Sequence, residues 1–329
     1  MTHAIITVTL NTAIDRVVEV PHLALGSHVV GRRLRRYPAG KGINVSRALA
    51  TLGQTSAATG LVGRDELGLY RQFLADSTDG RCTCELIATG AQTRENITLL
   101  DPASTTETHI RERGDEVTPA DIQRITTRIS ELVTPSAIVT ICGSLPPGFD
   151  LADLRKLIQA AQTRGARIAL DLDGRVLRDL LACRSDAPPL TSLWLIKPNL
   201  SELAEVIDAT PPDDPAALAA FAAPLCEHAD TVVVTCGPRG AILITADHAW
   251  YGNILLAPDR AQHTVGCGDC MLAGLLHAAA RNLDPPAHLR RGLAVAAANL
   301  RNPGAATFSA ADVSVLEPQA HIERLALPN

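Results

Sequence analysis

Lysine is scarce in this chain of 329 residues: of 30 basic side chains only Lys41, Lys156 and Lys197 are lysines, and the rest are arginine. No run reaches the roughly 18 apolar residues needed to span a bilayer. The opening MTHAIITVTLNTAIDR has neither a charged n-region nor a long apolar run with a cleavage site, so a cytoplasmic protein is expected. A net charge of −5 and a pI near 6.1 exclude attraction of the whole surface to nucleic acid or an anionic membrane. Any anion must be gripped locally. The eight cysteines (Cys82, Cys84, Cys142, Cys183, Cys226, Cys236, Cys267, Cys270) are too scattered for a disulfide framework and are expected as reduced thiols. The histidines, His109 and His277 among them, show no metal spacing, and one C-x-x-C without a second pair is weak evidence for structural zinc. Internal repeats and low-complexity linkers are also missing.

What is present is an α/β rhythm. With 46% hydrophobic residues the chain can bury a sizeable core. Short β-branched or apolar runs are predicted as strands at Ile5–Leu10, Ala137–Cys142, Ile168–Leu172, Leu193–Ile196, Val232–Thr235 and Ala241–Thr245. Apolar spacings of 3, 1 and 3 between them, as in Val45, Ala48, Leu49, Leu52, predict amphipathic helices; the same holds for Leu200–Ile207 and Leu272–Ala279. Such alternation belongs to parallel strands joined by crossover helices. Two segments break it, Arg16–Tyr37 and the Thr-rich Thr93–Arg113, and both read as antiparallel strands outside the main sheet.

The strongest chemical signal is TVGCGDCMLAGLLHAA, residues 264 to 279. Gly266 and Gly268 free the backbone to turn N–H groups toward one point at a helix start, and Asp269 follows at once. This is either an anion cradle with a carboxylate on its rim or a glycine-rich helix cap. A cradle suits phosphoryl transfer, with Asp269 taking the proton of an attacking hydroxyl. In PAGKGINVSRALATLG, residues 38 to 53, a Gly-Lys-Gly turn again runs into a helix, but it is neither a Walker A loop nor G-x-G-x-x-G. Lys41 can hold an anion there and Asn44 can bond a polyol. No acidic residue stands between Val20 and Arg64, while Arg32, Arg33, Arg35, Arg36, Lys41 and Arg47 all do. That basic window is the local anion site the overall charge requires, or a solvated face. LWLIKPNLSELAEV and ICGSLPPG each end a strand in polar residues, where ligands of doubly wound sheets sit.

Taken in order, TLNTAIDR, AGKGINVSRALATLG, TGLVGRDELG, TRENIT, GSLPPG, KPNLSEL, VTCGPRGA and GCGDCMLAGLL resemble the ribokinase-like (PfkB) carbohydrate kinases, specifically the phosphosugar branch of 1-phosphofructokinase, tagatose-6-phosphate kinase and minor 6-phosphofructokinase. The resemblance implies a three-layer α/β/α fold with a mostly parallel sheet and a small β lid. A single domain over 1–315, lid strands from about 11–37 and 93–113, and a C-terminal tail over 316–329 are expected. It implies ATP and Mg²⁺ as cofactors and a ketohexose phosphate as substrate, with Asp269 as base and Gly266, Cys267 and Gly268 as the anion hole. Asn199 and Glu202 would organise Mg²⁺ through water, and Lys197, Asn199, Thr235, Gly237, Gly240 and Asn299 would line the nucleotide site. Asp15, Gly40, Lys41 and Asn44 match sugar-binding positions, and Arg94 and Ser144 match positions near the sugar's phosphate. A homodimer through the lid is a further implication.

The sequence departs from the branch at Thr12 (usually Pro), Ala39 (usually Gly), Cys267 (usually Ala) and Cys270 (usually Ser), and Ala39 adds a β-carbon beside the sugar site. Other readings are a kinase for an unphosphorylated sugar, nucleoside or small alcohol, and a sugar-binding regulator without turnover. Cys267-Gly-Asp-Cys270 at a helix start also fits a thiol–disulfide protein.

Overall fold

The structure, a computed structural model, describes residues 4–182, 193–256, 264–302 and 304–326; Cys183 lies outside them. The strands are β1 (Ile5–Thr9), β2 (Ala13–Glu19), β3 (Arg32–Ala39), β4 (Ser56–Gly63), β5 (Cys82–Thr89), β6 (Arg94–Asp101), β7 (Thr106–Arg111), β8 (Ile138–Gly143), β9 (Arg167–Leu172), β10 (Leu193–Ile196), β11 (Ala229–Thr235), β12 (Ala241–Ile244), β13 (Ala249–Asn253) and β14 (His321–Leu325). The helices are α1 (Lys41–Thr51), α2 (Leu67–Thr78), α3 (Pro119–Leu132), α4 (Leu151–Thr163), α5 (Gly174–Leu181), α6 (Leu200–Ile207), α7 (Pro215–Ala222), α8 (Cys267–Ala279), α9 (Pro285–Leu300) and α10 (Ala310–Leu316).

The main sheet runs β14-β13-β12-β11-β10-β9-β8-β1-β4-β5. From β11 to β5 every neighbour is parallel, and β12, β13 and β14 add antiparallel. Alternate residues of each strand feed opposite faces. Ile6, Val8 and Val139 pack with α3 and α4 through Ile125, Ile129, Leu154 and Leu157. Ile5 and Ile138 pack instead with α1, α8 and α9 through Leu49, Leu272 and Ala294. Because both faces are covered, the central strands read as continuous apolar runs, which is why six of them were legible. The result is a three-layer α/β/α fold, as the resemblance implies.

A second, separate sheet, β3-β2-β6-β7, stands where the lid was expected. Its β2–β3 and β6–β7 pairs are antiparallel as expected, but β2 and β6 in the middle run parallel, from Ala13↔Arg94 to Glu19↔Leu100. The sequence reading corrects in three further places. Strands β4 and β5, SAATGLVG and CTCELIAT, were missed because neither alternates nor is rich in β-branched residues. Strand β13 was missed too. Residues 316–326, expected to trail the domain, carry β14, which closes the sheet's edge on β13. Among the described residues no helix is long and apolar enough to cross a membrane.

Candidate active site

The parallel register decides which polar residues meet. Ile196 of β10 stands beside Leu170 of β9, and the Lys197 amide donates to the Leu170 carbonyl at 3.0 Å. Lys197 therefore follows its strand directly beside Asp171, and its Nζ lies 3.0 Å from Asp171 Oδ2. From the other side Lys41 Nζ reaches Asp171 Oδ1 at 3.1 Å and Glu202 Oε1 at 3.7 Å. Asp171 and Lys197 are only 2% and 3% exposed, so these are desolvated charges and the pairing is obligatory. Burial pushes the Asp171 carboxyl up, but Lys197 and Lys41 override it and hold it below the usual carboxylate range. Burial likewise works against the charge of Lys41, and Asp171, Glu202 and Asp269 outweigh it and hold the ammonium firmly protonated.

Asp269 sits in the first turn of α8, buried at 7% exposure. Asn44 of α1 donates to its Oδ2 at 2.8 Å. Burial first, then the neighbouring Asp171 carboxylate, push its pKa up to about 7, against the opposing pull of Asn44, Lys41 and Lys197. A carboxylate tuned to neutrality can exchange a proton at working pH. The helix enters through Gly266 at φ 79° and has no side-chain cap. A β-carbon at Gly266 would stand 2.6 Å from Ala305 Cβ, so both the turn and the packing demand glycine. At Gly268 a β-carbon would lie 3.6 Å from Lys197 Nζ, which places that ammonium beside the cradle. The Cys267 amide, expected in the anion hole, turns back to the Thr264 carbonyl at 3.3 Å.

Of the residues expected at the sugar, Asp15 is half-buried and accepts from Asn96 Nδ2 at 2.9 Å; burial raises its pKa despite that bond. Arg94 donates to the carbonyls of Asn11 and Glu112, both at 3.1 Å, while its Nε is buried without a partner. Asn11, at the end of β1, donates to Ser144 Oγ at 3.2 Å, so Arg94, Asn11 and Ser144 form one group where the lid joins the sheet. Gly40 caps α1 at φ 147°. Ala39 ends β3 opposite Ala13 as an ordinary strand residue, so its β-carbon brings no strain. The Thr12 hydroxyl donates to the Leu61 carbonyl at 2.7 Å. Of the basic run, Arg32 pairs with Glu19 at 3.0 Å and Arg36 with Glu95 at 3.1 Å on the exposed lid.

Of the residues expected to line the nucleotide, Thr235 ends β11 beside Asn199. Gly237 and Gly240, at φ 59° and 101°, shape the turn after it, and a β-carbon at Gly240 would strike the Gly252 carbonyl at 2.1 Å. Asn199 and Glu202 form a reciprocal capping box at the start of α6, with both bonds at 2.9 Å. Asn299 lies behind the loop that enters α8. Its side chain is fully buried, donates to the Val265 carbonyl at 2.9 Å and to Cys267 Sγ at 3.5 Å, and accepts from the Thr307 amide at 3.2 Å. It braces the cradle loop. The thiol–disulfide reading meets a correction as well, because burial pushes the Cys267 thiol up and drives Cys270 far up. A reactive thiol needs the opposite shift.

Sequence reasoning missed Asp171, the residue on which both lysines converge. Its signal was a carboxylate embedded in the apolar strand IALDL. Asn11 and Asn96 were missed as well; only their partners, Ser144 and Asp15, carry a legible role.

The chain matches the profile of the pfkB family carbohydrate kinases over residues 6–312. It is 33% identical over 287 residues to 1-phosphofructokinase of Rhodobacter capsulatus, covering 86% of each chain. To 1-phosphofructokinase of Xanthomonas campestris pv. campestris it is 32% identical over 275 residues, covering 82% of each. Among solved structures, phosphofructokinase-2 from Escherichia coli in complex with potassium superposes with a TM-score of 0.86 at 27% identity, over 97% of this chain and 99% of that one.

Proposed function

The chain belongs to the pfkB family of carbohydrate kinases, and from that premise we propose that it transfers the γ-phosphoryl group of ATP to a hydroxyl of a ketohexose phosphate, giving a bisphosphate and ADP. Both relatives above are 1-phosphofructokinases, which puts fructose 1-phosphate ahead of fructose 6-phosphate and tagatose 6-phosphate. The observation that carries the chemistry is Asp269, a buried carboxylate in the first turn of α8 that accepts from Asn44 of α1 at 2.8 Å, with burial as the first cause that raises its pKa to about 7.

Asp269 accepts the proton as the sugar hydroxyl attacks the γ-phosphorus; the new O–P bond forms while the bond to the β-phosphate oxygen breaks. Charge on the transferring group faces the first turn of α8 and the Lys197 ammonium, with Lys41 opposite. Asp15 accepts from the sugar hydroxyls, and Arg94 with Ser144 receives the phosphate the substrate already carries. Thr235, Gly237 and Gly240 line the nucleotide. Among the described residues no group of three or more His, Cys, Asp or Glu forms a metal cage. Mg²⁺ keeps waters and leans on substrate phosphates. Glu202 fits such a role: its Oε1 has only the 3.7 Å approach of Lys41, so Glu202 and Asn199 would hold the ion through water. When bound, Mg²⁺ neutralises phosphate charge. The same reading puts the enzyme in the cytoplasm, where ATP is available.

The test is ADP release with Mg²⁺-ATP across sugar phosphates and free sugars, with Asp269→Asn as the blank. Turnover confined to ketohexose phosphates is expected, and Arg94→Ala should raise the KM for the sugar phosphate about 10- to 100-fold. Activity on free sugars alone overturns the acceptor assignment. A homodimer through the lid rests on the unpaired outer edges of β3 and β7, whose residues Arg32–Arg36 and Thr106–Arg111 are exposed. A monomer in sedimentation equilibrium would sink it.

A further inference from the structure

Behind the cradle lies a turn that the reaction described above does not use. Ala305 packs against Gly266, and the next residue, Ala306, holds a left-handed backbone at φ 53°. Such a conformation is strained for a residue other than glycine and persists only where neighbours fix it. Three bonds do so. The Thr307 amide donates to Asn299, the Thr307 hydroxyl donates to the Gly304 carbonyl at 2.9 Å, and Arg47 Nη1 donates to the Ala305 carbonyl at 2.9 Å.

Arg47 is the unusual member, because it comes from α1, one helical turn beyond Asn44. Its guanidinium lies over the Phe73 ring at 4.9 Å from the centroid, and Phe73 stacks on Tyr37 of lid strand β3 at 6.4 Å and 26°. The same strand reaches the turn directly, since a β-carbon on Gly304 would stand 4.0 Å from Arg35 Nη1. The contact series thus runs Tyr37, Phe73, Arg47, Ala305, Gly266.

We infer that Arg47 is a positioning residue for phosphoryl transfer: aimed by Phe73 and the lid strand, it holds the Ala305 carbonyl so that the turn backs Gly266 and keeps the first amides of α8 on target. The inference rests on the kinase reading of the site. Binding of ATP or sugar does not need that aim, whereas the transition state does, since preorganised donors act where charge develops.

The experiment measures kcat and both KM values for wild type, Arg47→Met, Arg47→Lys, Phe73→Leu and the Arg47→Met/Phe73→Leu double variant, alongside Tm. Arg47→Met should lower kcat about 10- to 100-fold with each KM within about threefold of wild type. Arg47→Lys, which keeps a donor, should recover a good part of that loss. Phe73→Leu alone should cost about 3- to 10-fold, and in the double variant it should cost nothing further, since it acts through Arg47. Unchanged kcat in Arg47→Met, no recovery by Arg47→Lys at an equal Tm, or full additivity of the double variant would each overturn the assignment. A wild type silent on every acceptor would instead overturn the kinase reading itself, and this inference with it.

Discussion

The turn at Gly40 and the turn at Gly266 both enter a helix through a positive-φ glycine, at 147° and 79°, and neither helix has a side-chain cap. Both therefore bare first-turn amides and the positive end of a dipole toward the same space. They differ in what the first turn carries. α1 begins with Lys41 and has no acid there, so amides and ammonium together present positive charge to an incoming anion. α8 carries Asp269, whose buried carboxylate would neutralise that field were it fully ionised. At a pKa of about 7 it is poised instead to take a proton, and the Asn44 bond ties the two helix starts together. Under the proposed function one turn binds and the other reacts.

The largest effect that would break this contrast is at Asp269. Asp269→Asn should lower kcat by about 10²–10⁴-fold, the range for loss of a positioned general base, with little change in KM. The same substitution should stabilise the fold. The folded pKa of about 7 lies above the ordinary 3.8, so between those values the folded state binds the extra proton and stability falls as pH rises. At pH 8 the variant should melt above wild type by a margin on the order of 1–3 kcal/mol, and that margin should vanish below pH 4. Equal stability at pH 8 would mean the carboxylate carries no desolvation strain.

Gly266→Ala and Gly40→Ala sharpen the comparison at the next level. At Gly266 the new β-carbon meets Ala305 backbone and side chain at 2.6–2.7 Å, whereas at Gly40 it meets the Thr9 Cγ2 methyl at 2.7 Å. Both residues sit in the left-handed half of backbone space, so both variants lose stability, by about 1–3 kcal/mol. Gly266→Ala should fall mainly in kcat and Gly40→Ala mainly in acceptor KM. If steady-state kinetics show the same profile for both, the division between binding and reacting turns fails.

What was legible follows from which residues had local signatures. Glycines flanking Asp269 and Lys41 announce themselves because the turn chemistry is local. Asp171 was invisible since its importance comes from register: only when Ile196 aligns with Leu170 does Lys197 fall beside it, and only when α1 packs over the sheet does Lys41 close from the far side. For Asn299 the protein contacts alone were hidden from the sequence. It was assigned to the nucleotide by resemblance; side-chain amides satisfy whatever buried backbone lies nearest, here Val265 and Thr307. The strands were readable where both faces are covered by branched residues, and unreadable in SAATGLVG, where Gly60 must lie against the Thr9 carbonyl and no side chain fits.

The pH profile probes Asp171 more gently. With Asp269 as base, kcat/KM of the free enzyme should rise with pH through an inflection near 7, because the carboxylate must be ionised to accept the proton. Asp171 is the second cause of that elevation after burial, so Asp171→Asn should move the inflection to lower pH. The two lysines left without their shared partner then act more strongly on Asp269, in the same direction. If the inflection stays in place, Asp171 holds the lysines without tuning the base, and the cluster is scaffold alone.

The smallest effect is expected at the thiols. The Cys267 amide turns back to the Thr264 carbonyl, and its sulfur receives a 3.5 Å bond from Asn299, whose stronger bond goes to the Val265 carbonyl at 2.9 Å. Cys267→Ala should leave kcat within about threefold, since the Asn299 brace survives on its remaining partners. Treatment with diamide should be equally quiet, because both thiols of the pair are held protonated by burial and the thiolate is the species that attacks a disulfide reagent. Loss of activity on oxidation, rescued by Cys267→Ala, would show that the helix start lowers the thiol enough to react, and that the cradle turn carries a second chemistry which the Gly40 turn lacks.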